Sequence, residues 1–126
     1  MGRPVHFEIH AADPERLVAF YRALFGWTFT RWGDQPYWLA VTGHGPGIDG
    51  AVLQRRGPGP EAGQPVNAFV VTVDVDDLAG TLTAAAAAGG TLAVARQAVP
   101  GVGWLAYVSD PDGNLVGLMQ ADPTAS

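Results

Sequence analysis

VHFEIHAADPERLVAFYRALFG, residues 5–26, runs from an alternating strand straight into a capped helix, and that passage decides the fold. Val5 to Ala11 alternates and is rich in β-forming residues, so the pattern predicts a strand. Asp13-Pro14-Glu15 then starts a helix: Asp can cap, Pro fits the first turn, and Glu suits the positive end of the helix dipole. Leu17, Phe20, Tyr21 and Leu24 recur at helical spacing and give one apolar face. Gly26 closes the helix, because glycine enters the left-handed conformation without strain. Three strands are expected next, over Trp27 to Trp32, Tyr37 to Thr42 and Ala51 to Arg55.

The rest of the chain repeats this plan. A shift of 63 residues lays Asp13 on Asp76, Gly26 on Gly89, Thr28 on Thr91, and Asp49-Gly50 on Asp112-Gly113. These residues start and end helices and set turns, which is what a repeated architecture has to keep. Ala68 to Val75 is the expected strand, and Asp76 or Asp77 caps a helix ending at Gly89-Gly90. Strands follow over Thr91 to Ala98, Trp104 to Ser109 and Leu115 to Gln120. Asp110-Pro111-Asp112-Gly113 is a turn signal between the last two, strong enough to explain both aspartates. The Gly- and Pro-rich stretch 57–65 reads as a linker. One domain over 1–126 is expected: a first βαβββ module at 1–56, a second at 66–121 and a tail at 122–126. This is an α+β arrangement whose sheets curl into a cleft.

Composition sets the bounds. With 48% hydrophobic and 15% charged residues, the chain of 126 residues is expected to pack as a globular domain. A net charge of −5 and no basic stripe argue against nucleic acid as a partner. Arg55-Arg56, the one adjacent basic pair, reads as a solvated turn. The absence of cysteine removes disulfides, thiolate nucleophiles and zinc–thiolate sites. No leader-like or membrane-spanning apolar run is visible, so no membrane partner is expected and the cytoplasm is the default location. Nucleophile-elbow and phosphate-cradling motifs are missing as well.

His6 to Glu15, then Phe20-Tyr21 and Leu24-Phe25-Gly26-Trp27, resembles the opening of vicinal oxygen chelate proteins, a superfamily that includes glyoxalase I, bleomycin-resistance proteins and extradiol dioxygenases. A second signature runs from Pro100-Gly101-Val102-Gly103-Trp104 through Asp110-Pro111-Asp112-Gly113-Asn114 to Leu118-Met119-Gln120. The resemblance implies two βαβββ modules forming an eight-stranded, incompletely closed barrel-like sheet with helices outside, and a homodimer. In catalytic members four side chains hold a divalent metal. Their positions fall here on His6, Gln54, Phe69 or Val70, and Gly117. Only His6 is a strong ligand and Gln54 is a weak neutral one, whereas such a site normally needs about three protein ligands. No cofactor is therefore expected; a divalent metal, if one binds, would use His6 and Gln54.

His6, Glu8 and His10 stand at alternate positions of one strand and so share a face. Glu8 and His10 are the candidates for proton transfer. Together with His6, Gln54, Trp38, Phe69 and Trp104 they are the expected ligand-binding set. The tryptophans suit a pocket for a flat or apolar molecule, and Gly101 and Gly103 suggest a mobile loop over it. The expected function is metal-independent binding of a small aromatic or apolar molecule. The alternatives are a metal-dependent lyase or isomerase similar to glyoxalase I, and a metal-free enzyme using His10 or Glu8.

Overall fold

The computed structural model describes residues 3–126, so the first two positions of the expected first module lie outside the described residues. The elements in chain order are β1 (Phe7–Ala11), α1 (Pro14–Phe25), β2 (Thr28–Arg31), β3 (Tyr37–Val41), β4 (Gly50–Gln54), β5 (Thr72–Asp74), α2 (Leu78–Ala87), β6 (Thr91–Val99), β7 (Gly103–Ser109) and β8 (Leu115–Ala121). The eight strands form two four-stranded sheets, ordered β1-β4-β3-β2 and β5-β8-β7-β6. In each, the first strand runs parallel to the fourth and the other pairs are antiparallel. That is the βαβββ plan twice, with the sheets left open rather than closed into a barrel.

Both helices start as the local chemistry dictates. Asp13 accepts a hydrogen bond from the Arg16 amide at 3.3 Å, Pro14 occupies the first turn, and Gly26 ends α1 with φ of 71°. Asp77, rather than Asp76, caps α2 through the Gly80 amide, and the Leu78 amide donates to Gln120 Oε1 at 2.8 Å. This second bond ties the start of α2 to β8.

One apolar core lies between the helices and the sheets. It is built on Leu17, Phe20, Tyr21, Val52, Leu78, Val108 and Leu118, all almost wholly buried. Burial of side chains this size contributes about 1.5–3 kcal/mol each. Tyr21 stacks on Trp27 at 5.4 Å with an interplanar angle of 9°.

The expected strand from Ala68 to Val75 is cut down to three residues. Val71 still accepts a bond from the Gly117 amide, but earlier residues have no neighbouring strand, and Phe69 is wholly exposed. High β propensity without a ladder partner does not make a strand.

The two modules are joined by polar contacts as well as by the core. Arg55 is no solvated turn residue. Its guanidinium donates to Asp112 Oδ2 at 2.6 Å, to Asn114 Oδ1 at 3.1 Å and to the His10 carbonyl at 2.8 Å. Asn114 donates to the same carbonyl at 2.9 Å, and Asp112 Oδ1 accepts the Ala12 amide. Behind this clamp the buried Asp110 accepts from the Tyr21 hydroxyl, the Asn114 side chain and the amides of Asp112 and Asn114. Burial is the largest influence on Asp110 and raises its pKa despite these bonds.

Candidate functional site

Strand register assigns the candidates on β1, β3, β4 and β7 to a face. Phe7, Ile9 and Ala11 pair with Gly50, Val52 and Gln54, and of these Phe7, Ile9, Ala11 and Val52 pack into the core toward the helices. His6, Glu8 and His10 turn the other way, onto the open side of the first sheet. Across the ladder they share that side with Ala51 and Leu53 of β4 and with Tyr37 and Leu39 of β3.

A hydrogen-bonded group occupies this open side. The Tyr37 hydroxyl donates to Glu8 Oε2 at 2.8 Å and lies 3.0 Å from His6 Nε2. A hydroxyl has one proton, so with that proton on Glu8 the phenolic oxygen accepts from Nε2–H of His6. The neutral His6 ring then carries its lone pair on Nδ1. His6 Nε2 is 3.4 Å from Glu8 Oε2, and His10 Nε2 is 4.0 Å from Glu8 Oε1. His6, Glu8 and His10 are all half-exposed. Partial burial, then the Glu8 hydrogen bond, raises the pKa of Tyr37. Tyr37 is the member that sequence reasoning missed as a polar group. Its only signal was an aromatic on a strand, and its meeting with Glu8 depends on the pairing of β3 with β4 and β4 with β1.

Beside this group lies a cavity of about 520 Å³. It opens where β4 runs out and where the β2–β3 hairpin turns, lined by Trp32, Gln35, Pro36, Tyr37, Leu53, Gln54, Arg55 and Arg56. Trp32 is 59% exposed, with its ring set edge-on to Tyr37 at 6.3 Å and 86°. The hairpin wall is held by its own bonds: Trp32 N–H to the Tyr37 carbonyl, Gln35 N–H to the Trp32 carbonyl, and Arg31 to the carbonyls of Asp34 and Gln35.

Several expected ligand contacts stand elsewhere. Trp38 shares the helix-facing side with Val52 and Ala40, with Arg31 4.9 Å above its ring. Trp104 pairs with Gln120 on the helix-facing side of the second sheet. Its indole N–H donates to Asp122 at 3.0 Å, and Arg96 covers the ring. Phe69 lies before β5, away from the cavity lining. Gly101 and Gly103 are held rather than loose: the Gly101 amide donates to the Ala125 carbonyl, and Gly103 is the first residue of β7, backed against Gln120. Of the four tryptophans, Trp32 alone lines the cavity.

The divalent metal set implied by the resemblance does not fit this geometry. His6 immediately precedes the Phe7–Gly50 pair, while Gln54 pairs with Ala11 at the other end of the same ladder and on its other face. The Gln54 amide nitrogen is engaged by the carbonyls of Ala11 and Ala12. At Gly117 a Cβ would meet Thr72 Oγ1 at 2.9 Å and the Tyr107 ring at 3.1 Å. Among the described residues, no cluster of three or more His, Asp or Glu side chains is arranged to hold an ion.

Comparison with known proteins follows the fold. The family model described as Glyoxalase/Bleomycin resistance protein/Dioxygenase superfamily matches residues 3–118. A probable lactoylglutathione lyase of Vibrio parahaemolyticus is 32% identical over 94% of this chain and 91% of its own. The lactoylglutathione lyase of Salmonella typhimurium is also 32% identical, over 94% and 93%. Among solved structures, a glyoxalase/bleomycin resistance protein/dioxygenase family enzyme from Burkholderia phytofirmans superimposes with a TM-score of 0.72 at 19% identity, covering 93% of this chain and 97% of the other. A fosfomycin resistance protein from Listeria monocytogenes gives 0.71 at 14% identity, covering 97% and 95%. No helix among the described residues is long and apolar enough to cross a membrane.

Proposed function

Because the chain belongs to the Glyoxalase/Bleomycin resistance protein/Dioxygenase superfamily, we propose that it is a metal-independent small-molecule-binding protein that holds an aromatic or apolar ligand on the open side of its first sheet. The observation that carries this reading is the cavity of about 520 Å³ beside the Tyr37–Glu8–His6 group. Its volume falls within the usual range for small-molecule sites, about 300–1,000 Å³. Trp32, Tyr37 and Leu53 supply apolar contact, and His6, Glu8 and His10 orient polar atoms of the ligand.

The test uses N-phenyl-1-naphthylamine, a neutral fluorescent aromatic. Saturable binding that survives a chelator and weakens in Trp32→Ala supports the reading. Absence of saturable binding of both this probe and its sulfonated analogue, 8-anilinonaphthalene-1-sulfonate, rejects it. The binding form is read as a homodimer, since Leu92 and Val94, exposed on the edge strand β6, give the second module an apolar edge for a second copy. Light scattering at twice the chain mass supports that assignment, and a monomer rejects it.

Two enzymic readings have observations of their own. Identity of 32% to proteins named lactoylglutathione lyase favours a metal-dependent lyase or isomerase similar to glyoxalase I. Turnover of glyoxalase substrates that a chelator abolishes and a divalent metal restores would establish it. The Tyr37–Glu8–His6 chain of bonds favours metal-free proton transfer by Glu8 or His10. Chelator-resistant turnover lost in Glu8→Gln or His10→Ala would establish that one.

A further inference from the structure

We infer that the ligand of this cavity is an anion: an aromatic or apolar body carrying one acidic group, which Arg56 receives at the rim while Trp32 covers the body. This rests on the binding reading above and specifies the chemistry of the molecule bound. Two neighbouring arginines line the cavity and have different fates. Arg55 is 16% exposed and neutralised by Asp112 at 2.6 Å. Arg56 is exposed, and no salt bridge among the described residues compensates it.

The lining is also unusual for this chain. The sequence holds 12 acidic residues against 7 basic ones, yet no carboxylate contributes to the cavity wall. The nearest acid in the polar group, Glu8, is engaged by the Tyr37 hydroxyl and His6. What remains at the rim is one uncompensated guanidinium, with Gln35 supplying an amide on the hairpin side. A guanidinium is a planar, always-charged donor suited to bidentate pairing with a carboxylate or sulfonate. The exposed Trp32 face beside it offers the flat apolar contact that the body of such a ligand requires. Because the hairpin is pinned by its own backbone bonds and by Arg31, little ordering cost is left for binding.

A matched pair of probes tests this on the intact protein. 8-Anilinonaphthalene-1-sulfonate and N-phenyl-1-naphthylamine share one aromatic framework and differ by the sulfonate. The sulfonate is expected to bind about tenfold more tightly or better, the size of one charge-assisted hydrogen bond at an accessible site. Arg56→Met should abolish that preference, and Arg56→Lys should restore part of it. Trp32→Ala should weaken both probes. Equal affinity of the two probes for the unmodified protein overturns the inference and leaves the binding reading standing. A preference that survives Arg56→Met also overturns it, because the anion is then held elsewhere. If neither probe binds, the binding reading fails and takes the inference with it.

Discussion

The Tyr37 hydroxyl lies 2.8 Å from Glu8 Oε2, although 29 residues separate the two and a strand runs between theirs. The phenol reaches back over β4 to do so, and Ala51, beneath on the same side, is wholly buried. Tyr37→Phe removes both the donor to Glu8 and the acceptor for His6. Nitrogen-15 NMR of His6 should show the Nε2–H tautomer in the unmodified protein and a mixture in the variant. An unchanged spectrum would mean that the bond does not form in solution.

The raised pKa of Tyr37 has a second consequence. The folded protein holds this proton more tightly than the unfolded chain, so the contribution is present below the ordinary value of 10.0 and is lost as pH rises through the folded one. Glu8→Gln removes the second cause of the shift and leaves burial in place. Ultraviolet titration should show this phenol ionising at lower pH in that variant.

Asp110 follows the same sign at the other end of the scale. Its raised folded pKa means that the native state holds this proton more tightly than the unfolded chain does. The contribution is complete below the ordinary 3.8 and declines as pH rises through the folded value. Denaturant unfolding across the acid range should show that slope, and Asp110→Asn should flatten it while lowering stability throughout. Tyr21→Phe withdraws one donor from the buried carboxylate and should cost about 1–3 kcal/mol.

The two adjacent arginines should separate cleanly in thermal melts. Arg55→Ala removes the cation from Asp112, a side chain 15% exposed in the intact clamp, and should cost about 3 kcal/mol or more. Arg56→Ala, on the surface, should stay within about 0.5 kcal/mol of the unmodified protein. Equal losses in the two would contradict the clamp.

Metal addition should leave the melting temperature of stripped protein unchanged. An ion bound only by the folded state at one hundred times its dissociation constant would add about 2.7 kcal/mol, or several degrees. Placing glutamate at the position that the resemblance assigns to a ligand, Gly117→Glu, should lower stability, because its Cβ has Thr72 and Tyr107 against it.

Local chemistry carried most of the fold. Asp13 with Pro14, Gly26, Asp77 and the Asp110–Gly113 turn each act within a few residues, so helix starts and turns were legible. Which side of a sheet an aromatic takes was not. Tyr37 and Trp38 are neighbours of similar character, and only the pairing of Tyr37 with Leu53 and Trp38 with Val52 sends one to the cavity and the other to the helices. Arg55 was misjudged for a related reason: its partner Asp112 lies 57 residues away, beyond any local pattern. His6, Glu8 and His10 were legible as one face because period-two alternation is a property of the strand itself. Their link to Tyr37 was not.

The bond from Asn114 to the His10 carbonyl spans 104 residues. Contacts that distant form late, after the intervening chain has been closed into a loop. During synthesis the ribosome can release β1 to β4 and all of the cavity wall while the clamp that fixes His10 and Ala12 has not yet been made. A nascent chain halted before Asn114 should therefore display the cavity residues yet retain no ligand, and competence to bind should arrive abruptly once the turn at Asp110 to Asn114 has cleared the exit tunnel.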